Sequence, residues 1–298
     1  MQFLAFILVY PFIWLLSILP MRVLYLISDF FYVIIYHVFG YRKNVIYNNL
    51  KLAFPEKSDK ELKLIRKKFY SHFVDIFVEM IKSFTISEKQ LRKRYTFKNI
   101  EVIHKLEDQG KSIMIMGSHY ANWEWIFILN RSLSRDSQGY AVYNKLENKY
   151  FEDKIKKSRG RFGTNLVITV EIIEKIKENR KHNIQSIYGL LSDQSPMMIK
   201  ARYFSEFMGI KVPIQTGAEF LAKENDLPVV MLITKKIKRG YFETEFKLLA
   251  ENPKDFKDYQ ITDLFTRELE KQIRAKPEHY FWSHKRFKHR DKVPVEDK

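Results

Sequence analysis

The pattern of hydrophobic and polar positions divides the chain into regions of different character. Residues 2–41 are almost continuously apolar, residues 58–84 repeat apolar side chains every three or four positions, and short apolar runs alternate with polar stretches from Tyr95 onward. These patterns are typical of membrane-facing helices, amphipathic helices and an α/β domain, respectively. We therefore divide the chain into an N-terminal membrane anchor (1–21), a helical membrane-proximal region (22–94), an α/β domain (95–290) and a C-terminal tail (291–298).

The first apolar segment, residues 2–21, is long enough to anchor the chain in a membrane. It carries no formal charge, and as a helix it would extend roughly 30 Å, the thickness of a hydrocarbon core. No basic residue precedes it and no small-x-small cleavage site follows it, which disfavours a signal peptide. We expect a membrane-spanning or deeply embedded helix; the alternative is a helix packed on the protein's own core. Arg22, Arg42 and Lys43 follow the segment, so the positive-inside rule predicts a cytoplasmic domain.

A second apolar stretch, residues 23–41, is interrupted by Asp29 and His37. Such polar side chains favour an interfacial helix, or a helix packed on the domain, over a second crossing. The sequence leaves one crossing, two crossings and interfacial attachment open.

Residues 58–84 have the pattern of one long amphipathic helix. Ser58 and Glu61 form the S-x-x-E capping box that marks a helix N-terminus. The apolar stripe behind it consists of Leu62, Ile65, Phe69, Phe73, Ile76, Met80 and Phe84. We expect this stripe to pack on the core and the lysine-rich face to be solvated, without a catalytic role. Ser87 marks the start of a second, shorter helix.

The alternation after Tyr95 predicts an α/β domain. Apolar runs indicate strands at Ser112–Met116, Tyr140–Tyr143, Asn165–Val167, Ser186–Leu191, Tyr203–Phe207, Val229–Thr234 and Tyr241–Leu249. Polar stretches indicate helices at Ile100–Asp108, Asn122–Arg131, Tyr150–Lys157, Ile172–Glu178, Gly217–Glu224 and Ile261–Ala275. We therefore expect a mostly parallel central sheet with helices on both faces. Ligands of such sheets bind at the carboxyl ends of the strands.

Composition narrows the partners and the chemistry. The chain has 52 Lys and Arg against 35 Asp and Glu, a formal net charge of +17. This excess favours anionic lipid, phosphorylated substrates, an acidic protein or nucleic acid as partners. Aromatic residues make up 15% of the chain, which favours a lipid-facing surface. Cysteine is absent, so disulfides, cysteine-ligated metals and a cysteine nucleophile are excluded.

The candidate catalytic residues are His119 and Glu124, in the stretch 117–124 (GSHYANWE). His119 is expected in the turn between a buried strand and a helix, with Glu124 about one helical turn further on. A carboxylate beside an imidazole fixes the ring tautomer and makes a general base. Asn122 is placed to cap the helix. The H-x4-E spacing arises about once by chance among 8 His and 35 acidic residues, so its place at a strand end is what supports a function.

A metal site is the competing interpretation of the same pair. Zinc needs three or four converging ligands, and the chain offers neither cysteine nor an H-E-x-x-H motif. We therefore expect no metal.

Three further stretches carry candidate binding residues. Arg159 and Arg161 lie among glycines and suit bidentate binding of phosphate or carboxylate, a plain basic turn being the alternative. Asp193 follows another predicted strand, either as a site residue or as a turn former. The stretch 277–290 interleaves aromatic and cationic side chains, which suits anionic lipid headgroups or RNA. The apolar N-terminus favours lipid.

Together these residues resemble one family. The stretch 117–124 is similar to the G-x-H-x-x-N-W-E/D block of the bacterial lipid A biosynthesis (lauroyl/myristoyl) acyltransferases, which resemble the wider glycerol-phosphate acyltransferase superfamily. Other blocks match in the family's order: Tyr41-Arg42, Asn49-Leu50, Phe54-Pro55-Glu56, 159–163 (RGRFG), Asp193-Gln194 and the aromatic and basic residues of 280–288. The resemblance covers nearly the whole chain.

The resemblance implies a cofactor-free acyltransferase of the bacterial inner membrane, with its α/β domain on the cytoplasmic side. It would move a fatty acyl chain from acyl carrier protein to a glycolipid such as a lipid A precursor. His119 would be the base and Glu124 its partner, and the acceptor would attack directly, since no G-x-S-x-G nucleophile motif is present. An arginine would hold phosphate or the developing oxyanion, and the substrate-binding residues would be Asn122, Arg159, Arg161 and Asp193.

Two departures from known patterns leave the acceptor open. No F-P-E-G-T-R-type block follows the histidine motif, which disfavours a lysophosphatidate acyltransferase, and residues 195–198 differ from the best-known lipid A enzymes. Another glycolipid, an aminolipid or a lysophospholipid is therefore an alternative acceptor, and coenzyme A an alternative donor. A membrane-tethered basic protein that binds anionic lipid or nucleic acid is the non-enzyme alternative. It gives no reason for the H-x4-E turn, and we expect no nucleic-acid partner.

Overall fold

The computed structural model describes residues 2–292. Over this range the chain forms ten α-helices and nine β-strands. The helices are α1 (Gln2–Ile18), α2 (Met21–Val33), α3 (Lys43–Ala53), α4 (Asp59–Lys82), α5 (Glu88–Arg94), α6 (Glu101–Asp108), α7 (Lys149–Gly160), α8 (Ile172–Lys181), α9 (Gly217–Asn225) and α10 (Gln260–Ala275). The strands are β1 (Tyr95–Lys98), β2 (Ile113–Gly117), β3 (Gln138–Tyr143), β4 (Asn165–Ile168), β5 (Ser186–Leu191), β6 (Phe204–Phe207), β7 (Ile210–Pro213), β8 (Val229–Lys238) and β9 (Tyr241–Ala250). Most of the predicted tail, residues 293–298, lies outside the described residues.

Seven strands form a central sheet in the order β1-β9-β8-β2-β5-β3-β4. Neighbouring strands are parallel except in the β8–β9 hairpin. The middle strand, β2, is buried along its whole length, because it is flanked by β8 and β5 and covered on both faces. This architecture confirms the predicted α/β fold with a mostly parallel sheet.

The parallel strands β2, β3, β4 and β5 all end at one edge of the sheet, which we call the carboxyl edge. Their last residues are Gly117, Tyr143, Ile168 and Leu191. The loops that follow these four strands are therefore brought together, as the general rule for ligand sites in such sheets requires.

Most predicted strands and helices are present, with bounds shifted by a few residues. Two short strands, β1 and β7, were not predicted. Tyr203–Phe207 does contain a strand, β6, but β6 pairs with β7 in a separate antiparallel hairpin and not with the central sheet. The helix predicted at 122–131 is a 3-10 helix at Trp125–Ser132.

The apolar N-terminus forms two helices and not one span over residues 2–21. Pro20 separates them, because proline lacks a backbone N–H and disfavours helical conformation in the preceding residue. α2 continues through a π-helical turn at Ile34–Phe39, and Met21–Phe39 is the one helix in residues 2–292 that is long and apolar enough to cross a membrane. Large apolar side chains remain exposed on both helices, including Phe12 (68%) and Leu26 (69%). The candidate span is therefore the second apolar stretch, where an interfacial or packed helix was expected.

α4 begins at the predicted capping box. Ser58 Oγ accepts the backbone N–H of Glu61 at 3.4 Å, and the Glu61 carboxylate accepts the backbone N–H of Ser58 at 2.9 Å. Most of the apolar stripe is buried, as expected. The helix also buries His72, Asp75 and Glu79, which its apolar periodicity did not predict.

Most rings of the C-terminal stretch 277–290 pack inside the protein, so the prediction that they face lipid is wrong. Tyr280, Trp282 and Phe287 are at most 2% exposed, and Arg286 is 3% exposed. The guanidinium of Arg286 lies over the ring of Phe207 at 4.7 Å. A mixture of rings and cations suits a lipid surface and a protein core equally well, and composition alone does not distinguish them.

Candidate active site

The central strand β2 carries the histidine motif to the carboxyl edge. The strand ends at Gly117, residues 118–124 form a turn, and the 3-10 helix Trp125–Ser132 follows. The side chain of His119 is 20% exposed and lines a cavity. The histidine thus lies where the sequence placed it, in a turn at the end of a buried strand.

The C-terminal segment holds this turn in place. Tyr120 and Tyr280 form an isolated antiparallel bridge, and the backbone N–H of Phe281 donates to the carbonyl of His119 at 3.1 Å. Ala121 has a left-handed φ of +54°. A non-glycine residue keeps such a conformation only where its surroundings hold it.

Asp193 is the carboxylate partner of His119. His119 Nδ1 lies 2.8 Å from Asp193 Oδ1, and the same oxygen accepts the His119 backbone N–H at 3.1 Å. The strand register explains the contact: Gly117 pairs with Leu191, so the residues two positions beyond each strand end meet. With the carboxylate on Nδ1, the nitrogen left to accept a proton is Nε2.

The electrostatics of this pair keep Asp193 ionised. Burial alone would raise the pKa of Asp193, but the facing His119 ring and the hydrogen bonds from His119 outweigh burial and hold the pKa below its usual value. An ionised carboxylate stabilises the imidazolium that forms when Nε2 takes up a proton.

Glu124 is paired with Arg159 and not with His119. Arg159 Nε donates to Glu124 Oε2 at 3.1 Å, and Nη2 donates to Oε1 at 2.7 Å and to Oε2 at 3.0 Å. Both side chains line the cavity. The expected contact between His119 and Glu124 is replaced because a guanidinium fork binds a carboxylate bidentately, which an imidazole cannot do. His119, which is paired with the buried Asp193, and the Glu124–Arg159 pair thus line the same cavity.

Asn122 and Arg161, both predicted to bind substrate, have other partners. Asn122 is fully buried. Its Oδ1 accepts the backbone N–H of Trp125 at 2.9 Å, as expected of a capping residue, and its Nδ2 donates to Glu79 Oε2 at 2.7 Å. Arg161 Nη1 donates to the carbonyl of Ser83 at 2.9 Å. In the described part of the chain, neither side chain lines the cavity.

The loop that carries Asp193 is fastened by the C-terminal segment. The backbone N–H of Ser195 donates to His284 Nε2 at 3.2 Å, and Ser195 Oγ donates to the carbonyl of Arg286 at 2.7 Å. Burial lowers the pKa of His284 to about 4, so the ring is neutral near pH 7 and Nε2 can accept. The segment 280–288 therefore positions Asp193, the carboxylate partner of His119.

Glu79 on α4 is not a predicted site residue, but it forms hydrogen bonds that hold the turn 118–124 and the start of the 3-10 helix. Its Oε2 accepts from Asn122, its Oε1 accepts from the hydroxyl of Tyr25 at 2.8 Å, and its carbonyl accepts from Trp125 Nε1 at 3.1 Å. Burial raises the pKa of Glu79 to about 7. A single acidic residue on a helix with many charges gives no sequence signal for this role.

The cavity beside these pairs has a volume of about 1490 Å³. Ile115, Ala141 and Gly189 line it from β2, β3 and β5, and Leu129 lines it from the 3-10 helix. A Cβ at Gly189 would meet no heavy atom closer than 3.6 Å, so small residues of the sheet leave room here. The volume suits a long apolar ligand with its reactive end near His119.

The polar groups of the cavity suit proton removal next to a developing negative charge. His119 has a free Nε2, and Arg159 Nη1 has no hydrogen-bond partner within residues 2–292. Over the same range, no group of three or more His, Asp or Glu side chains is placed to hold a metal ion.

Comparison with known proteins indicates one family. The family model described as "Bacterial lipid A biosynthesis acyltransferase" matches residues 1–289. The chain is similar to the lipid A biosynthesis palmitoleoyltransferase of Escherichia coli (strain K12), at 22% identity over 261 residues, covering 84% of this chain and 79% of that protein. It is also similar to the lipid A biosynthesis lauroyltransferase of the same strain, at 22% identity over 281 residues, covering 93% of this chain and 89% of that protein.

Proposed function

Because the chain belongs to the bacterial lipid A biosynthesis acyltransferases, we propose that it acylates a lipid A precursor from an acyl carrier protein thioester. The acceptor is a hydroxyl of the glycolipid, on the sugar or on an acyl chain already attached. The observation that carries the proposal is the 2.8 Å contact of His119 Nδ1 with Asp193 at the wall of an apolar cavity. It supplies a general base beside space for a fatty acyl chain.

In this mechanism His119 Nε2 removes the proton of the acceptor hydroxyl. The oxygen attacks the thioester carbonyl, the C–O bond forms, and the tetrahedral intermediate loses the thiolate as the C–S bond breaks. The imidazolium then returns its proton to the thiolate. Asp193 holds the ring in the required tautomer throughout and stabilises its charge. No acyl-enzyme forms, so His119 is a base and not a nucleophile.

Arg159 is proposed to stabilise the oxyanion of that intermediate. Glu124 occupies Nε and Nη2 of Arg159 and so fixes the guanidinium plane, while Nη1 is left to donate to the substrate. A preorganised donor costs no reorganisation when the charge develops. Glu124 thus acts through Arg159, and Asp193 takes the role of partner to the base.

The donor and the location follow from charge and from the N-terminus. With its net charge of +17, the chain is more complementary to the acidic surface of an acyl carrier protein than to a small thioester donor. The apolar helices α1 and α2 support attachment to a membrane, and Arg42 and Lys43, which follow the candidate span Met21–Phe39, favour the cytoplasmic face of the inner membrane.

A transfer assay tests the proposal. Purified chain is incubated with a lipid A precursor and with the same acyl group on acyl carrier protein or on coenzyme A. We expect thioester loss and a product heavier by one acyl group, detected by mass spectrometry, with acyl carrier protein as the better donor. Acylation of a phospholipid or an aminolipid, but not of the precursor, would reassign the acceptor.

A further inference from the structure

Four exposed apolar side chains surround the mouth of the cavity and have no part in the proposed chemistry. They are Leu146 (40% exposed), Met197 (60%), Ile199 (92%) and Phe220 (54%), and all four line the cavity. We call them the rim patch. Large apolar side chains that cluster at the surface mark an interaction site.

The rim patch lies at the carboxyl edge of the sheet. Leu146 is in the loop after β3, and Met197 and Ile199 are in the loop after β5. The loop after β4 adds Val170, which is 78% exposed. Because these strands are parallel to β2, the patch is on the same edge as His119.

Two cations follow the most exposed residue of the patch, Ile199, in the chain. Lys200 follows Ile199 directly and Arg202 lies close behind, and both are exposed at the cavity mouth. Neither forms an ion pair with any residue of the described range 2–292. Apolar side chains beside unpaired cations suit an anionic bilayer, with the apolar groups in the interface and the cations on lipid phosphates.

The apolar helix α1 begins beside the rim patch. Gln2 Nε2 donates to the carbonyl of Glu147 at 3.2 Å, and Asn148 Nδ2 donates to the carbonyl of Gln2 at 3.0 Å. The loop that carries Leu146 therefore holds the start of α1, where the side chains of Phe3 (54%) and Leu4 (63%) are exposed.

We propose that the rim patch, with Lys200 and Arg202, docks the cavity mouth on an anionic bilayer, so that a lipid acceptor enters the site from the membrane. The N-terminal helices alone would tether the chain without fixing its orientation; the patch turns the carboxyl edge toward the lipid. Docking itself does not depend on the proposed function, but the acceptor's route rests on it. An acidic carrier protein also suits a basic rim, but the start of the exposed apolar helix α1 at the Leu146 loop favours the bilayer.

Site-specific labelling tests the docking. The chain has no cysteine, so an Ile199→Cys variant of the full chain takes a single environment-sensitive fluorophore. In phosphatidylglycerol-containing vesicles, we expect its emission to shift to the blue and to be quenched several-fold more by acyl-chain quenchers than that of a His182→Cys control. His182 is exposed between α8 and β5, at the opposite edge of the sheet. Equal quenching at the two positions would overturn the proposal.

The cations and the competing partner are tested with the same label. Adding Lys200→Gln and Arg202→Gln to the Ile199→Cys chain should lower the docking equilibrium constant, read from the emission of the label, by about fivefold per cation removed. In vesicles without anionic lipid, the two substitutions should have a smaller effect. If the label responds to acyl carrier protein and not to vesicles, the patch belongs to the carrier protein and the bilayer proposal falls.

An activity ratio separates this proposal from the proposed function. For Ile199→Ser, the rate with precursor embedded in vesicles should fall several-fold relative to the rate with detergent-dispersed precursor. An equal fall in both rates would assign Ile199 to the cavity and contradict docking. A wild-type chain that acylates precursor in neither form refutes the proposed function, while the labelling result still decides the docking.

Discussion

Asp193 Oδ1 contacts both the ring and the backbone nitrogen of His119, and this shared oxygen defines the tautomer of the proposed base. We predict that Asp193→Asn lowers kcat by about 10³–10⁴-fold, because an amide can donate to Nδ1 and select the tautomer in which Nε2 carries the proton. The rate is measured with acyl carrier protein thioester, and the melting temperature checks that the variant is folded. A folded variant within about tenfold of wild type would remove Asp193 from the mechanism.

The two arginines of the R-G-R block offer a matched comparison. Arg159 faces the cavity from a bidentate pair with Glu124, whereas Arg161 donates to the carbonyl of Ser83 away from it. Arg159→Lys should lower kcat by about 10²-fold, because an ammonium held by Glu124 has no second planar donor for the oxyanion. Arg161→Lys should stay close to wild type. Equal losses in steady-state assays of the two variants would contradict the distinct roles.

The sequence does not predict Asp193 as the partner of His119, and the reason is physical. The contact joins residues 119 and 193, which are 74 positions apart, and it depends on which strand lies beside β2. The sequence placed both side chains at carboxyl ends of strands. The sequence does not give the β2–β5 register, so it favours Glu124, which is close to His119 in the chain, as the partner.

At the level of elements, α4 joins the N-terminal helices to the catalytic turn. Glu79 accepts from Tyr25 of α2 and from Asn122 of the turn. Burial raises its pKa from 4.5 to about 7, so between these values the folded chain keeps a proton that the unfolded chain has released. The free energy of unfolding should therefore fall by about 3 kcal/mol as the pH rises from 4.5 to 7.

Glu79→Gln tests this linkage, because glutamine imitates the protonated carboxyl and does not titrate. Denaturant unfolding of the chain in detergent, followed between pH 4.5 and pH 8, should show a weaker decline of stability for the variant than for wild type. Parallel curves for the two proteins would place the titrating group elsewhere.

The elements themselves were predicted where their pattern is strong. β2, β5 and α4 were found because a buried apolar run and a capped 3.6-residue period have few other interpretations. β1 was missed because it has only four residues with mixed exposure. The C-terminal segment differs from the prediction because its rings and cations have the composition of a membrane surface, whereas Tyr280, Trp282, Arg286 and Phe287 are buried. The segment packs against the turn after β2, against Phe207 and against the Asp193 loop.

At the scale of the whole molecule, the apolar surface is concentrated on α1, on α2 and at the carboxyl edge. α1 begins at the loop that carries Leu146, and the cavity mouth lies at the same edge. In a chain arranged in this way, the carboxyl edge of the sheet, where His119 lies, would face the bilayer. The net charge of +17 supports both an anionic membrane and an acidic carrier protein.

In the proposed mechanism, His119 is the base for acyl transfer to a lipid A precursor. The most direct test is the initial rate of His119→Ala with acyl carrier protein thioester and precursor, compared with wild type and with His104→Ala, which changes a partly exposed histidine on α6. We predict that folded His119→Ala loses activity by about 10³-fold or more, while His104→Ala retains it. Wild-type turnover by a folded His119→Ala chain would exclude His119 as the base.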